Sequence, residues 1–194
     1  MSSKQVKENF LEAKLVLEQF IANEKNFDLI EQAGKIMVAA ILGGKKIISC
    51  GNGGSMADAM HFAEELSGIF RETRPALPAI AISDPSHISC VANDLGFEHV
   101  FSRFIEGLGQ EGDVLLAIST SGNSPNIIKA VESAKTKKIK TIGLTGKSGG
   151  KLAKEADISI NVPGLKHSDR IQEIHIKIIH SLIHIIEDHL NRKI

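Results

Sequence analysis

Six residues, Ser119-Thr120-Ser121-Gly122-Asn123-Ser124, put four hydroxyls into one short turn. An apolar stretch, 113–118 (DVLLAI), precedes them, and a helix-like stretch, 125–138, follows. Strand, hydroxyl-rich turn and helix start together suit an anion. The first helical turn leaves backbone N–H groups without partners, and the peptide dipoles add partial positive charge at that end. Ser119, Thr120, Ser121 and Ser124 would offer hydroxyl donors to a phosphate. Gly122 would let the chain turn tightly, and Ser124 or Asn123 would cap the helix ahead of Pro125. The same residues would also make an ordinary capped turn. No lysine lies among them, so the stretch is not a nucleotide P-loop.

A second turn, Gly51-Asn52-Gly53-Gly54-Ser55, follows an apolar run at 46–50 (KIISC) and precedes a helix-like run at 56–68. Its glycines allow a ligand close to the backbone, but their spacing is not the dinucleotide fingerprint. In the run that follows, His61 and Glu65 stand four apart on one face. The pair can bind a metal or act as a base and its partner, and a solvated His and Glu would look the same. Glu64 and Glu65 face different ways, so only one of them is expected to join His61 well. The last helical run, 169–190, carries Gln172, Glu173, His175, His180, His184, Glu187 and His189 around an apolar stripe. His180 and His184 have the spacing of a metal pair, while Gln172 and His180, two turns apart, share a side. Spacing alone does not choose between these sets and solvated, idle histidines.

The elements that must hold these side chains alternate along the chain. Two amphipathic runs, 4–24 and 27–42, come first, and Gly43-Gly44 stops the second. Apolar runs at 46–50, 76–83, 113–118, 141–145 and Ile158–Val162 read as strands without period-two alternation. Helical runs at 56–68, 86–93, 97–108, 125–138 and 151–156 lie between and beside them. This order predicts an α/β fold: a three-layer sandwich around a five-stranded parallel sheet, with two N-terminal helices and a long C-terminal helix. Residues 1–44 read as a helical extension and 45–194 as the α/β core of a single domain. Ligands of such sheets sit beyond the carboxyl ends of the strands, where both polar turns fall.

Composition narrows the function class. Lys plus Arg and Asp plus Glu each number 23 in 194 residues, so the formal net charge is zero. The basic excess that nucleic acid calls for is missing, and Trp and Tyr are absent as stacking platforms. Zero net charge gives little protection against self-association and favours an oligomer. Cys50 and Cys90 make no disulfide framework and read as small buried residues of a reducing compartment. The opening residues 1–8 are polar, without a secretory apolar region, and no apolar run approaches the ~18 residues of a membrane span. No membrane association and a cytoplasmic location are the expectation.

The second turn, the His61/Glu65 pair, 79–84 (AIAISD), Asn93-Asp94, the hydroxyl turn, and 170–175 (RIQEIH) through His180 together resemble the phosphoheptose isomerase family. These are the sugar-isomerase (SIS) domain proteins that act on sedoheptulose 7-phosphate, and the likeness runs in order along nearly the whole chain. The resemblance implies a flavodoxin-like SIS domain and a cytoplasmic homotetramer with active sites between subunits. It implies conversion of sedoheptulose 7-phosphate to D-glycero-D-manno-heptose 7-phosphate for lipopolysaccharide synthesis. One zinc per subunit would be held by His61, Glu65, Gln172 and His180. Substrate contacts would come from Asn52, Gly53, Gly54, Ser55, Asn93, Asp94, Ser119, Thr120, Ser121, Ser124, Asp169 and Gln172. Glu65 and His180 would be the acid/base pair. Ile69 departs from the pattern, standing where the family's motif has arginine. Through the two turns the chain also resembles a non-enzymatic SIS protein that binds the bacterial replication initiator, a branch without equivalents of Glu65 and His180. A sugar-phosphate sensor with the same pocket and no turnover is the third reading.

Overall fold

Five short apolar runs become strands, the three central ones buried on both faces and the two edge strands only in part. They are Ile47–Gly51 (β1), Ala79–Ala81 (β2), Val114–Ser119 (β3), Lys140–Gly146 (β4) and Ile158–Val162 (β5). All pair in parallel, in the order β2-β1-β3-β4-β5. The helices, in chain order, are Ser3–Ile21 (α1), Lys25–Leu42 (α2), Gly54–Ser67 (α3), Pro85–Leu95 (α4), Val100–Leu108 (α5), Pro125–Thr136 (α6), Leu152–Glu155 (α7) and Ser168–Asn191 (α8). The computed structural model describes residues 2–164 and 167–191. Among them no helix is long and apolar enough to cross a membrane.

Alternate strand residues enter opposite cores, as the pleat requires. Ile47, Leu116, Ile118, Leu144 and Ile160 pack with α1, α2, α3 and α8. Ile48, Cys50, Leu115 and Ala117 pack with α4, α5, α6 and α7. The result is the expected three-layer sandwich. The order makes β1 and β3 neighbours, while α3 after β1 and α6 after β3 lie on opposite faces. A crevice must open between them at the carboxyl edge, the switch point of a doubly wound sheet.

Three expectations change. The strand anticipated over 76–83 is only Ala79–Ala81, at the sheet's edge. Leu77 gives its N–H to Leu66 O at the end of α3, and Pro78 has no N–H to offer. The helical run at 97–108 divides into a 3₁₀ turn, Phe97–His99, and α5, because Gly96 enters it at φ 98°. Cys50 is buried, and burial pushes its thiol pKa up, but Cys90 is exposed on the outer side of α4.

Helix α8 is fastened to the sheet by a buried histidine. His175 has no exposed surface, and its Nε2 lies 2.9 Å from Thr145 O, so Nε2 carries the proton and donates. Its Nδ1 is buried without a partner. Burial, against the weaker pull of the Thr145 carbonyl, holds the pKa down at about 4 from an ordinary 6.5. The unfolded chain therefore binds a proton below pH 6.5 that the folded chain refuses until about pH 4. Stability from this site is complete above pH 6.5 and is lost as pH falls toward 4. His175→Gln keeps a donor for Thr145 and does not titrate. Urea unfolding of both chains is expected to show the wild type losing on the order of 3 kcal/mol more than the variant between pH 6.5 and 4. Parallel pH profiles would remove this role from His175.

Candidate active site

Both polar turns border the crevice. At the first, Gly53 caps α3 and the chain comes close to α8: a Cβ at Gly54 would stand 2.7 Å from Gln172 Nε2. A larger residue there would push the end of the Gln172 side chain aside. The Asn52 and Asn126 amides exchange two hydrogen bonds across the switch point, Asn52 Nδ2 to Asn126 Oδ1 at 2.9 Å and Asn126 Nδ2 to Asn52 Oδ1 at 2.8 Å. Asn126 Oδ1 also takes the N–H of Ile127 in the first turn of α6. The buried Asn126 thus locks the β1 turn to the β3 turn. No sequence signal marked it, since its partner lies 74 positions away.

At the second turn the hydroxyls gather. Ser119 Oγ lies 3.1 Å from Ser124 Oγ and 3.5 Å from Ser121 Oγ. Ser124 occupies the cap position of α6, yet its side chain makes no cap bond and turns to Ser119 instead. Gly122 has φ 65° and a Cβ there would meet Gly149 O at 1.9 Å, so both conformation and space demand glycine. Thr120 Oγ1 donates to Ser168 Oγ at the start of α8. Asp169 follows there, exposed, its carboxylate taking the N–H of Arg170. Asn93 and Asp94 sit exposed in the last turn of α4, joined by a 2.7 Å hydrogen bond.

Between α3 and α8 three titratable groups converge. His61 Nε2 lies 2.9 Å from His180 Nε2 and 3.6 Å from Glu65 Oε1. Glu64 Oε1 takes the other ring nitrogen, Nδ1, at 2.9 Å. The expectation that only one of the two glutamates serves His61 is therefore corrected. Positions three and four along a helix are both neighbours, and an imidazole has a nitrogen for each. A carboxylate only accepts, so His61 Nδ1 carries a proton and donates to Glu64. Partial burial, then the His61 ring, hold the His180 pKa below its usual value, with Glu65 pulling the other way. Phe70 lies against His180 with ring centroids 5.7 Å apart, and the Arg71 guanidinium covers Phe70. His184, the spacing partner of His180, instead approaches Arg71 at 3.4 Å. Asp58, one turn before His61, has a buried Oδ2 without a partner, and burial raises its pKa to about 6 against the pull of His61. Ile69 is exposed.

The SIS domain family model matches residues 10–146. The phosphoheptose isomerase of Histophilus somni (strain 2336) is 59% identical over 187 residues, 96% of this chain and 96% of its own. Among solved structures, a phosphoheptose isomerase from Francisella tularensis superposes with a TM-score of 0.91 at 39% identity, covering 97% of this chain and 100% of that one. The Neisseria gonorrhoeae phosphoheptose isomerase superposes with a TM-score of 0.89 at 39% identity, over 95% of this chain and 98% of the other. The chain belongs to the phosphoheptose isomerase family of SIS-domain proteins.

The family's expected zinc can be tested against these donors. His61 Nε2 stands 2.9 Å from His180 Nε2 and 3.6 Å from Glu65 Oε1, near the about 3.3 Å that separates ligand atoms on one tetrahedral ion with bonds of about 2.0–2.1 Å, while the donor atoms that all lie within 4.8 Å of one another are those of His61, Glu64 and Glu65. The His61 Nδ1–Glu64 bond is the outer support that metal-ligating histidines usually have. Gln172 stands at the other end of the α3–α8 contact, about 12 Å along α8 from His180 by helical rise. At a hundredfold excess over its Kd, a ligand of the folded state adds about 2.7 kcal/mol, or roughly 5–10 °C in Tm for a chain of this size. Zn²⁺ is expected to raise Tm on that scale. His61→Ala and His180→Ala should each abolish the rise; an unchanged rise in both would put the ion elsewhere.

Proposed function

We propose that this chain converts sedoheptulose 7-phosphate to D-glycero-D-manno-heptose 7-phosphate, the first step of ADP-heptose synthesis for lipopolysaccharide. The observation that carries this reading is His61 within reach of both Glu65 and His180, on two helices that begin at the sheet edge where the hydroxyl-lined turn lies. A non-enzymatic relative would not need that acid/base set, and a sensor would not need it within proton-transfer reach.

The reaction moves hydrogen between C1 and C2 through an enediol. Glu65 takes the proton from C1, the C2 carbonyl oxygen gains one, and the pair of electrons left on C1 forms the C1–C2 double bond. Glu65 then returns its proton to C2 while O1 gives one up, leaving the aldehyde at C1. His180, kept neutral near pH 7 by its depressed pKa, can carry the proton between O1 and O2. Zinc held by His61, Glu65, Gln172 and His180 would supply polarisation of the carbonyl oxygen. Ser119, Thr120, Ser121 and Ser124 hold the phosphate at the N-terminus of α6, so the reacting carbons are positioned from the far end of the sugar. Asn52, Gly53, Gly54, Ser55, Asn93, Asp94 and Asp169 would supply the further substrate contacts.

The wider organisation follows the same reading. Residues 1–194 form one SIS domain, supported by Val16, Phe20, Ile30 and Met37 of α1 and α2 sharing a core with the strands. The assembly is a homotetramer, supported by the row of exposed Val6, Phe10, Leu11 and Leu15 on α1. Its place is the cytoplasm, where sugar phosphates are made and retained, and it takes neither nucleic acid nor membrane as partner.

A coupled assay with sedoheptulose 7-phosphate tests the reading directly. Glu65→Gln is expected to fold and to lose at least ~100-fold in kcat, the scale of a missing general base. Near-normal turnover would take the role from Glu65. Ser121→Ala combined with Ser124→Ala is expected to raise KM with little change in kcat, because those hydroxyls bind ground and transition states alike. An unchanged KM would move the phosphate to another part of the crevice.

A further inference from the structure

The end of α3 is closed in an unusual way. A helix leaves its last carbonyls without intrahelical donors. Here one guanidinium takes up that end: Arg74 Nη2 donates to Glu65 O at 2.7 Å, and Nη1 to Leu66 O at 2.8 Å and Gly68 O at 3.2 Å. Nη1 also reaches Pro75 O at 3.2 Å, and Leu66 O receives the N–H of Leu77. Arg74 Nε donates to Glu187 Oε1 at 2.8 Å, and Glu187 Oε2 takes the N–H of Arg71 at 3.4 Å. Both side chains of the ion pair are 2% exposed. Glu187 lies on α8 two turns beyond His180. The pair therefore joins the last turn of the helix that carries Glu65 to the helix that carries His180.

We propose that Arg74, held by Glu187, is the positioning residue for Glu65 and fixes its carboxyl against His61 and His180. This rests on the reading of Glu65 as the base. The guanidinium grips the main chain of Glu65 itself, not merely its neighbourhood. A positive group at a helix C-terminus also favours the dipole, so the grip strengthens the final turn. If that turn frays or shifts, the Glu65 carboxyl moves with it. A misplacement of about 1 Å at a reacting group can cost about 100-fold in rate. Lysine cannot replace this arrangement: its ammonium is a point charge without the planar fork that spans Glu65 O, Leu66 O and Glu187 together.

The test uses the full chain with Zn²⁺ present and reads Tm, kcat and KM for sedoheptulose 7-phosphate. Arg74→Lys is expected to lower kcat about 10- to 100-fold while KM stays within about threefold, because the phosphate cradle on α6 is untouched. A purely structural clasp would lower Tm and leave the kcat of the folded protein unchanged. The second variant is the double change Arg74→Met with Glu187→Leu. It leaves no buried charge unpaired, and such apolar replacements commonly preserve folding. It should melt cooperatively and still show the kcat loss. A folded Arg74→Lys with kcat within twofold of wild type, or a double variant with kcat restored, overturns the proposal. If Arg74→Lys does not fold, the double variant decides. Full turnover in Glu65→Gln would retract the base assignment by a separate measurement, whatever the Arg74 variants do.

Discussion

The site depends on α3 and α8 running side by side in the same direction. Three contacts hold that register: Gly54 against Gln172, His61 against His180, and the Arg74 clasp against Glu187. Along α3 they fall at 54, 61 and the helix end; along α8 they fall at 172, 180 and 187. Steps of seven or eight residues are two helical turns, so the same face of each helix returns to the other at every contact. Leu66 and Phe62 from one helix and Ile179, Leu182 and Ile183 from the other belong to the core beneath. The packed face sets how far the helices can slide. The polar contacts then sit where that packing puts them. A shift of one helical position would carry His180 about 100° around α8 and away from His61.

The sheet supplies the second constraint. Because α3 and α6 leave the sheet on opposite faces, the turns after β1 and β3 diverge and must be held from across the gap. The Asn52–Asn126 amide pair does this without charge. Each carboxamide offers both a donor and an acceptor, so a reciprocal pair satisfies both in one plane. The hydroxyl cradle is likewise uncharged. Ser119 Oγ contacts both Ser121 Oγ and Ser124 Oγ, which keeps the three hydroxyls gathered.

Much of this was legible in the sequence because it is local. The strand expected at 158–162 has the bounds of β5, and those expected at 113–118 and 141–145 match β3 and β4 to within a residue. His61 with Glu65 was visible as a helical i, i+4 pair. Its meeting with His180 rested on resemblance, because 119 positions separate the two and no local pattern encodes the α3–α8 register. Asn126 and Arg74 carried no signal, and Glu187 stood out only as one of several polar residues on the last helical run. Arg74 sits in an aperiodic stretch of charged residues and prolines that reads as a solvated loop, and its role appears only when its partner 113 positions away is in place. Cys90 was misjudged for the same reason: burial belongs to a helix face, and α4 turns that face outward.

Why a buried ion pair should close α3 is a question of what an apolar pair could not do. Two charges taken from water gain little net stability over two well-packed aliphatic side chains. Burial of Arg74 and Glu187 at 2% exposure is therefore poorly explained as a source of stability. Hydrogen-bonding capacity explains it better. The carbonyls of Glu65, Leu66, Gly68 and Pro75 all point into the space Arg74 fills, at the negative end of the helix. An apolar side chain there would leave these part-buried and exposed carbonyls to solvent, without the donors that close the helix end. Arginine answers several at once, but its charge then needs an anion that does not compete for the same donors. Glu187 meets that need from α8, taking Nε and leaving both terminal nitrogens to the carbonyls. The segment between α3 and β2 thus gives up regular structure so that one of its residues can turn back and finish the helix before it.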